Sequence, residues 1–445
     1  MRLTACLLLL LTSWLNAAAA SKPNIVFIMA DDLGWADVAL HGGGAPTPHL
    51  DKLAREGLEL THHYVAPVCS PTRAGLMTGR CWSRFGVTTP QNARALRWDT
   101  ATLPRALKSA GYATCLTGKW HLGSKPEWGP NHFGFDHSHG SLAGGVGPWD
   151  HHYKKGEHME TWHRNGKLLK EEGHVTDLIT QEACQWLAQR GADTPFFLYV
   201  PFTAVHLPIK EPQEWLAKVP AGITGDVARH YAACIMHLDD AVGRIVAALE
   251  KHGQREGTLL VFTSDNGGST AENNGQAYPA DDYPTGRLPG NNAPLRDEKG
   301  SVYEGGTRVP CIASWPGRLK PGRHDAPVQI IDWMPTFCAL AGHRPDKDLK
   351  WDGVNLWPQL AEGAAPPART LYTVAPGFKS RSLRCDPWKL VVHGADEKAR
   401  HELYDILADP DEKTNLAPQK PDELAAMKER LHVMARADKD AVADD

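Results

Sequence analysis

The sequence predicts an α/β protein. A large domain is expected on a central mixed, mostly parallel sheet sandwiched by helices, followed by a smaller C-terminal α+β domain with an antiparallel sheet and a closing helix. Two observations carry this prediction. Up to about residue 365, short β-branched apolar runs alternate with stretches whose apolar residues recur at three and four positions. Beyond it, brief strand-like runs lie close together between turn residues. The expected division is a leader at 1–20, the large domain at 21–365 and the small one at 366–445.

The elements follow in order. Arg2, the apolar stretch Cys6 to Leu15 and the small residues Ala17 to Ala20 read as an export signal, so the mature chain is expected in a periplasm, a lumen or outside the cell. Asn24 to Met29 is a buried strand. Thr47 to Gly57 is a helix with Pro48 near its start, and Thr102 to Ala110 is another, leading into a strand through Tyr112 to Leu116. Helix 175–189, strand 195–202, the long amphipathic helix 226–252 and strands 258–263 and 309–315 complete the large domain. Short strands at 380–383, 388–392 and 401–404, then a helix over 421–437, make the small one.

Composition excludes several classes. With 48 basic and 52 acidic residues in 445, the net charge of −4 gives no phosphate-neutralising surface, so no nucleic-acid partner is expected. No apolar run after residue 20 is long enough for a membrane span. Eight cysteines follow Cys6 without CxxC spacing, which argues against a zinc cluster and leaves room for one or two disulfides. Residues 128–174 hold Trp128, Trp149, Trp162 and eight histidines. This insertion reads as a surface loop near the functional site, or equally as a solvated loop with packed aromatics.

Several constellations carry chemistry. Asp31-Asp32 and Ser264-Asp265-Asn266-Gly267-Gly268 each follow a predicted strand, where open α/β sheets bind ligands. Alone, each reads as a turn or cap; together, three carboxylates and an amide oxygen suit calcium or magnesium. In Cys69-Ser70-Pro71-Thr72-Arg73, Pro71 marks a helix start, with Cys69 just ahead of it and Arg73 one turn on. A buried free cysteine is the plain alternative. Lys119 and His121 share a face of an extended chain and offer an oxyanion ligand and a proton carrier. His206 follows strand 195–202 in a turn, and Lys299 precedes a glycine-rich approach to strand 309–315; each by itself is an ordinary surface residue.

Taken together, these residues resemble the type I, formylglycine-dependent sulfatases of the alkaline-phosphatase-like superfamily. The Cys69-x-Pro71-x-Arg73 core continuing to Thr78-Gly79-Arg80 is similar to the first signature of that family. Gly111-Tyr112-Ala113-Thr114 through Gly118-Lys119-Trp120-His121 is similar to the second, with Thr117 a local departure. The remaining blocks match in order, including His401 to Asp405 near the end.

The resemblance implies an enzyme that hydrolyses sulfate monoesters, on sulfated carbohydrate or aryl sulfate. It implies that Cys69 is oxidised to formylglycine by a maturation enzyme and that its hydrate is the nucleophile. One calcium is implied on Asp31, Asp32, Asp265 and Asn266, with residue 69 completing the shell. Arg73 is implied to support the hydrate, Lys119 and Lys299 to bind sulfate oxygens, His206 to assist the leaving oxygen and His121 to act as base when the aldehyde is restored. Two alternatives stay open: a phosphomonoester or phosphonate hydrolase, and a sulfated-glycan-binding protein with unmodified Cys69. Substrate choice is expected from 128–174, 271–296 and the basic residues Lys379, Arg381 and Arg384.

Overall fold

A computed structural model describes residues 22–191, 193–394 and 398–443. The leader expected at 1–20 lies outside the described residues.

A sheet of ten strands runs through the large part of the chain. From one edge its order is Gly322–His324, Leu58–Leu60, Cys311–Ser314, Thr258–Ser264, Asn24–Ala30, Phe196–Pro201, Ala113–Lys119, His137–Ser141, Trp162–Arg164 and Lys167–Leu168. The five strands from Thr258–Ser264 to His137–Ser141 are mutually parallel. Antiparallel pairings flank them on both sides.

Strand Asn24–Ala30 shows why helices cover both faces. Successive side chains of a strand point to opposite sides. Ile25, Phe27 and Met29 join one core with Leu76, Leu103, Trp333 and Phe337. Val26, Ile28 and Ala30 join the other with Leu53, Ile179, Ile235 and Val242. Helices Cys69–Thr78, Leu103–Ser109 and Trp333–Leu340 therefore pack on one face. Pro48–Glu56, Val175–Ala188 and Asp226–Lys251 pack on the other. Phe27 meets Tyr199, Trp333 and Phe337 edge-on. Truncating such a buried ring costs about 3–5 kcal/mol.

Strands Leu371–Val374, Ser380–Cys385, Trp388–His393 and Arg400–Asp405 form a separate antiparallel sheet, and helix Pro421–Ala435 packs on it. The first of these strands, with strand Leu58–Leu60 and helix Trp333–Leu340, had no counterpart in the sequence reading. The core of this sheet is continuous with the first large core through Tyr372, Leu383, Leu403 and Met427.

Several expectations are corrected. Part of the His-rich insertion is sheet rather than loop: it contributes the last three strands of the large sheet. Its histidines find local partners, His137 on Glu182, His139 on Glu171 and His163 on the Gly140 carbonyl. The eight cysteines of the described residues are all free, so none of the one or two disulfides that the sequence left possible is found there. Arg384 is not a surface cation; it is buried against Tyr64 and Asp386. Arg381 reaches Tyr372. Among the described residues no helix is long and apolar enough to cross a membrane.

Candidate active site

The register of the parallel strands builds the site. Ala30 lies opposite Ser264, so Asp31 and Asp265 are the next residues off two neighbouring strand ends. The Asp265 N–H donates to the Ala30 carbonyl at 3.0 Å, holding the two chains together past the sheet. Asp31, Asp32, Asp265 and Asn266 are all essentially unexposed.

On the other side of Asn24–Ala30, strand Phe196–Pro201 leads to Val205, whose N–H donates to the Asp31 carbonyl at 2.7 Å, and so to His206. Strand Ala113–Lys119 runs further than expected and carries Lys119 on its last residue. Gly118, at φ +132°, makes that end fit: a β-carbon there would stand 2.0 Å from the Pro201 carbonyl oxygen. His121 does not continue the extended chain; its φ is +57°, which turns the backbone after Lys119.

Cys69 is the first residue of helix Cys69–Thr78, with Val68 as its cap, rather than just ahead of a helix that starts near Pro71. Neighbouring residues fix it to the sheet ends. Thr72 Oγ1 donates to the Asp265 carbonyl at 2.6 Å, and Ser70 Oγ donates to the His121 carbonyl at 2.8 Å. These two hydroxyls escaped the sequence reading; their only signal was their place inside the Cys69-to-Arg73 segment.

The charges interlock. Lys119 Nζ donates to Asp31 Oδ2 at 2.5 Å, and Lys299 Nζ to Asp32 Oδ2 at 2.7 Å. Arg73 donates to Asp265 Oδ2 at 2.7 Å and to the Lys119 carbonyl at 2.7 Å. His206 Nε2 stands 3.8 Å from Asp32 Oδ2. Burial first, then Asp265, pushes the Asp31 carboxyl up to about 8. Burial also raises Asp32, but Lys299, His206 and Asn266 outweigh it and hold that carboxyl well below the usual range. Burial raises the Cys69 thiol despite Lys119 and Lys299. His121 and His206 are both driven well below the ordinary histidine value, by burial and then by Lys119 and Lys299 respectively.

The donor set fits a hard cation. Asp31 Oδ1 and Asn266 Oδ1 are buried and have no hydrogen-bond partner among the described residues. Leaving such oxygens unmet costs about 1–3 kcal/mol each. Carboxylate oxygens of Asp31 and Asp265 and the Cys69 sulfur all lie within 4.8 Å of one another. Oxygen donors of this kind suit calcium or magnesium rather than zinc. The structure thus brings all ten expected residues, Asp31, Asp32, Cys69, Arg73, Lys119, His121, His206, Asp265, Asn266 and Lys299, into one buried network. It combines a cation cradle, two ammonium groups, a helix N-terminus and two neutral imidazoles, an arrangement able to hold an oxyanion and move protons beside it.

The comparisons agree with this chemistry. The family model described as Sulfatase matches residues 23–343, and one described as N-sulphoglucosamine sulphohydrolase, C-terminal, matches residues 297–437. Arylsulfatase J of Mus musculus is 34% identical over 364 residues, 79% of this chain and 58% of that protein. The chain thus spans less than two thirds of that relative. N-acetylgalactosamine-6-sulfatase of Mus musculus is 35% identical over 376 residues, 78% of this chain and 68% of that protein. The crystal structure of Ps i-CgsB in complex with k-i-k-neocarrahexaose superposes with a TM-score of 0.83 at 30% identity, covering 96% of this chain and 95% of that one.

Proposed function

The chain belongs to the sulfatase family of sulfuric ester hydrolases, and from that premise we propose that it hydrolyses sulfate monoesters on sulfated carbohydrate. The names of N-acetylgalactosamine-6-sulfatase and of the neocarrahexaose complex support that substrate class. In this reading a maturation enzyme converts Cys69 to formylglycine, residues 1–20 direct export and are removed, and 21–365 and 366–445 are the two domains of the mature enzyme.

The observation that carries the proposal is the placement of Cys69 at a helix N-terminus among Lys119, Lys299 and the carboxylates of Asp31 and Asp265. Asp31, Asp32, Asp265 and Asn266, with residue 69, would hold calcium, which would supply Lewis-acid polarisation of sulfate oxygens. The aldehyde hydrate of residue 69 supplies one hydroxyl for attack on sulfur and a second whose deprotonation expels sulfate, a reset that serine lacks.

The chain's own residues do the rest. Lys119 and Lys299 clamp the equatorial oxygens and orient sulfur for in-line attack. Arg73 holds Asp265 in place through its 2.7 Å bond. His206 Nδ1 donates to the Leu207 carbonyl, which leaves Nε2 to exchange a proton with the leaving oxygen. His206 rests neutral beside Lys299; the negative charge of a bound sulfate offsets that cation and lets the ring hold a proton when the alkoxide forms. His121, buried and neutral, accepts the proton of the second hydroxyl.

Sulfate release from a panel of sulfated monosaccharides, an aryl sulfate and phosphate esters tests the proposal, using protein from a host that matures formylglycine, with Cys69→Ala beside it. Release of sulfate by the parent alone is expected. Equal release by the variant, or turnover confined to phosphate esters, overturns the reading.

A further inference from the structure

The loop at 271–296 brings an uncommitted hydroxyl to the histidine side of the site. Asn273 anchors this loop: its Oδ1 accepts the Ile209 N–H at 2.7 Å, and its Nδ2 donates to the Ile209 and Pro284 carbonyls. Ile209 lies three residues past His206, so the loop and that histidine are tied to one stretch of backbone. Five residues past Asn273, Tyr278 is 4% exposed. Its ring stands edge-on to Tyr153 at 6.1 Å and to Tyr283 at 6.3 Å, which fixes its direction.

The Tyr278 hydroxyl is buried and has no hydrogen-bond partner among the described residues. A single point locates it: a β-carbon added to Gly145 would stand 2.6 Å from Tyr278 Oη and 3.3 Å from His206 Nδ1. One added to Gly144 would stand 2.4 Å from His121 Nε2. The side-chain-free Gly144-Gly145 pair therefore lets the His206 ring and the phenol close on Gly145, with the His121 ring against the adjacent Gly144. Burial pushes the phenol well above its ordinary value, and Asp31 and Cys69 are near enough to add to that. Tyr278 is thus a neutral donor at working pH. Tyr283 Oη, also without a partner among the described residues, continues the row at Gly147.

A buried donor without an acceptor costs about 1–3 kcal/mol, a cost recovered when a ligand oxygen meets it. We propose that Tyr278 is a specificity residue that hydrogen-bonds the substrate's alcohol portion, at the hydroxyl nearest the sulfate ester, and so selects sugar sulfates over aryl sulfates. This rests on the sulfatase reading, in which His206 faces the leaving oxygen. A site built to bond a hydroxyl rejects an analogue that lacks it, because its own polar group is then left unmet.

The test uses Tyr278→Phe and three substrates. These are whichever of the methyl galactoside 3-, 4- and 6-sulfates the parent hydrolyses fastest, its deoxy counterpart lacking the hydroxyl nearest the ester, and 4-nitrophenyl sulfate. The parent is expected to lose about tenfold or more in kcat/KM on the deoxy sugar. In Y278F that discrimination collapses to within about twofold, and turnover of 4-nitrophenyl sulfate shows that the variant is folded and mature. A parent indifferent to the missing hydroxyl, or discrimination that survives in Y278F, overturns the assignment. So does a parent that hydrolyses 4-nitrophenyl sulfate but no galactoside sulfate. A parent that hydrolyses nothing overturns the sulfatase reading itself, and the assignment with it.

Discussion

Lys119 Nζ and Asp31 Oδ2 meet at 2.5 Å with both side chains fully buried, joining the last residue of one parallel strand to the first residue past another. The pair couples the two halves of the site. In the proposed reaction the ammonium that clamps sulfate is also the cation nearest a carboxylate that burial and Asp265 push upward.

Removing that ammonium therefore affects two properties at once. Lys119→Met is expected to lower sulfate release at least a hundredfold, about 3 kcal/mol of lost oxyanion stabilisation. It also leaves Asp31 buried beside Asp265 with Arg73, 3.8 Å away, as its remaining cation, a loss of up to about 3–5 kcal/mol. Turnover kinetics and urea unfolding on the same preparation check both. Activity lost without stability lost would mean that the pair does not hold Asp31.

Cation binding is expected to show in stability as well as rate. A ligand that binds only the folded state stabilises it by about 2.7 kcal/mol at a hundred times its dissociation constant. Chelation should lower both the melting temperature and sulfate release, and calcium should restore them. Asp265→Asn should abolish the thermal response to calcium. A melting temperature indifferent to chelator in the parent contradicts the cradle.

A second buried cluster gives a pH prediction away from the site. His237 is sandwiched between Glu211, 2.8 Å from its Nδ1, and Asp177, 3.4 Å from its Nε2. Burial lowers its basicity, but hydrogen bonds to Asp177 and Glu211 outweigh that and raise it to about 9. Cys234 and His174 also face Glu211, and Arg244 holds Asp177. A folded value above the unfolded 6.5 means stability fully present below pH 6.5 and lost as pH rises through 9, about 3 kcal/mol at most. His174, driven down by burial, acts oppositely and only below pH 6.5. The melting gap between the parent and His237→Gln should therefore narrow from pH 6.5 to 9.5. A constant gap refutes the assignment.

One of the contacts that tie the C-terminal sheet to the large part of the chain is a lysine between two acids. Lys389 Nζ is 2.8 Å from Glu304 and 2.8 Å from Glu412, all three buried. Lys389→Met removes the cation between the two acids, leaving Glu304 with the Tyr64 hydroxyl and Arg308 and Glu412 with the Glu304 N–H, and should cost about 3–5 kcal/mol in urea unfolding. Adding Glu412→Gln should recover part of it, as expected for groups in one network. Equal stability of single and double variants would show the two acids to be independent.

Strand ends were legible because hydrophobic runs stop where the acids begin: NIVFIM before Asp31-Asp32, and 258–263 before Asp265-Asn266. The signature around Cys69 and Lys119 named the chemistry, and register then brought the blocks together. Short strands such as Leu58–Leu60 and Lys167–Leu168 were not legible, since two or three residues show no period. The two readings of the histidine-rich insertion could not be separated in the sequence, because pairings such as His139 with Glu171 and His137 with Glu182 span 32 and 45 residues. Arg384 misled for the same reason: Tyr64, its aromatic partner, lies 320 residues away. Tyr278 gave no signal at all, because its meaning depends on two glycines from another segment.

The central claim is that residue 69, in its aldehyde form, turns over sulfate esters. It is tested most directly by the mass of the peptide carrying residue 69, measured across preparations of graded maturation whose active fraction is titrated by sulfate release. The aldehyde fraction and the active fraction are expected to rise together from zero. Full activity in a preparation whose peptide carries only the unmodified thiol would contradict the claim.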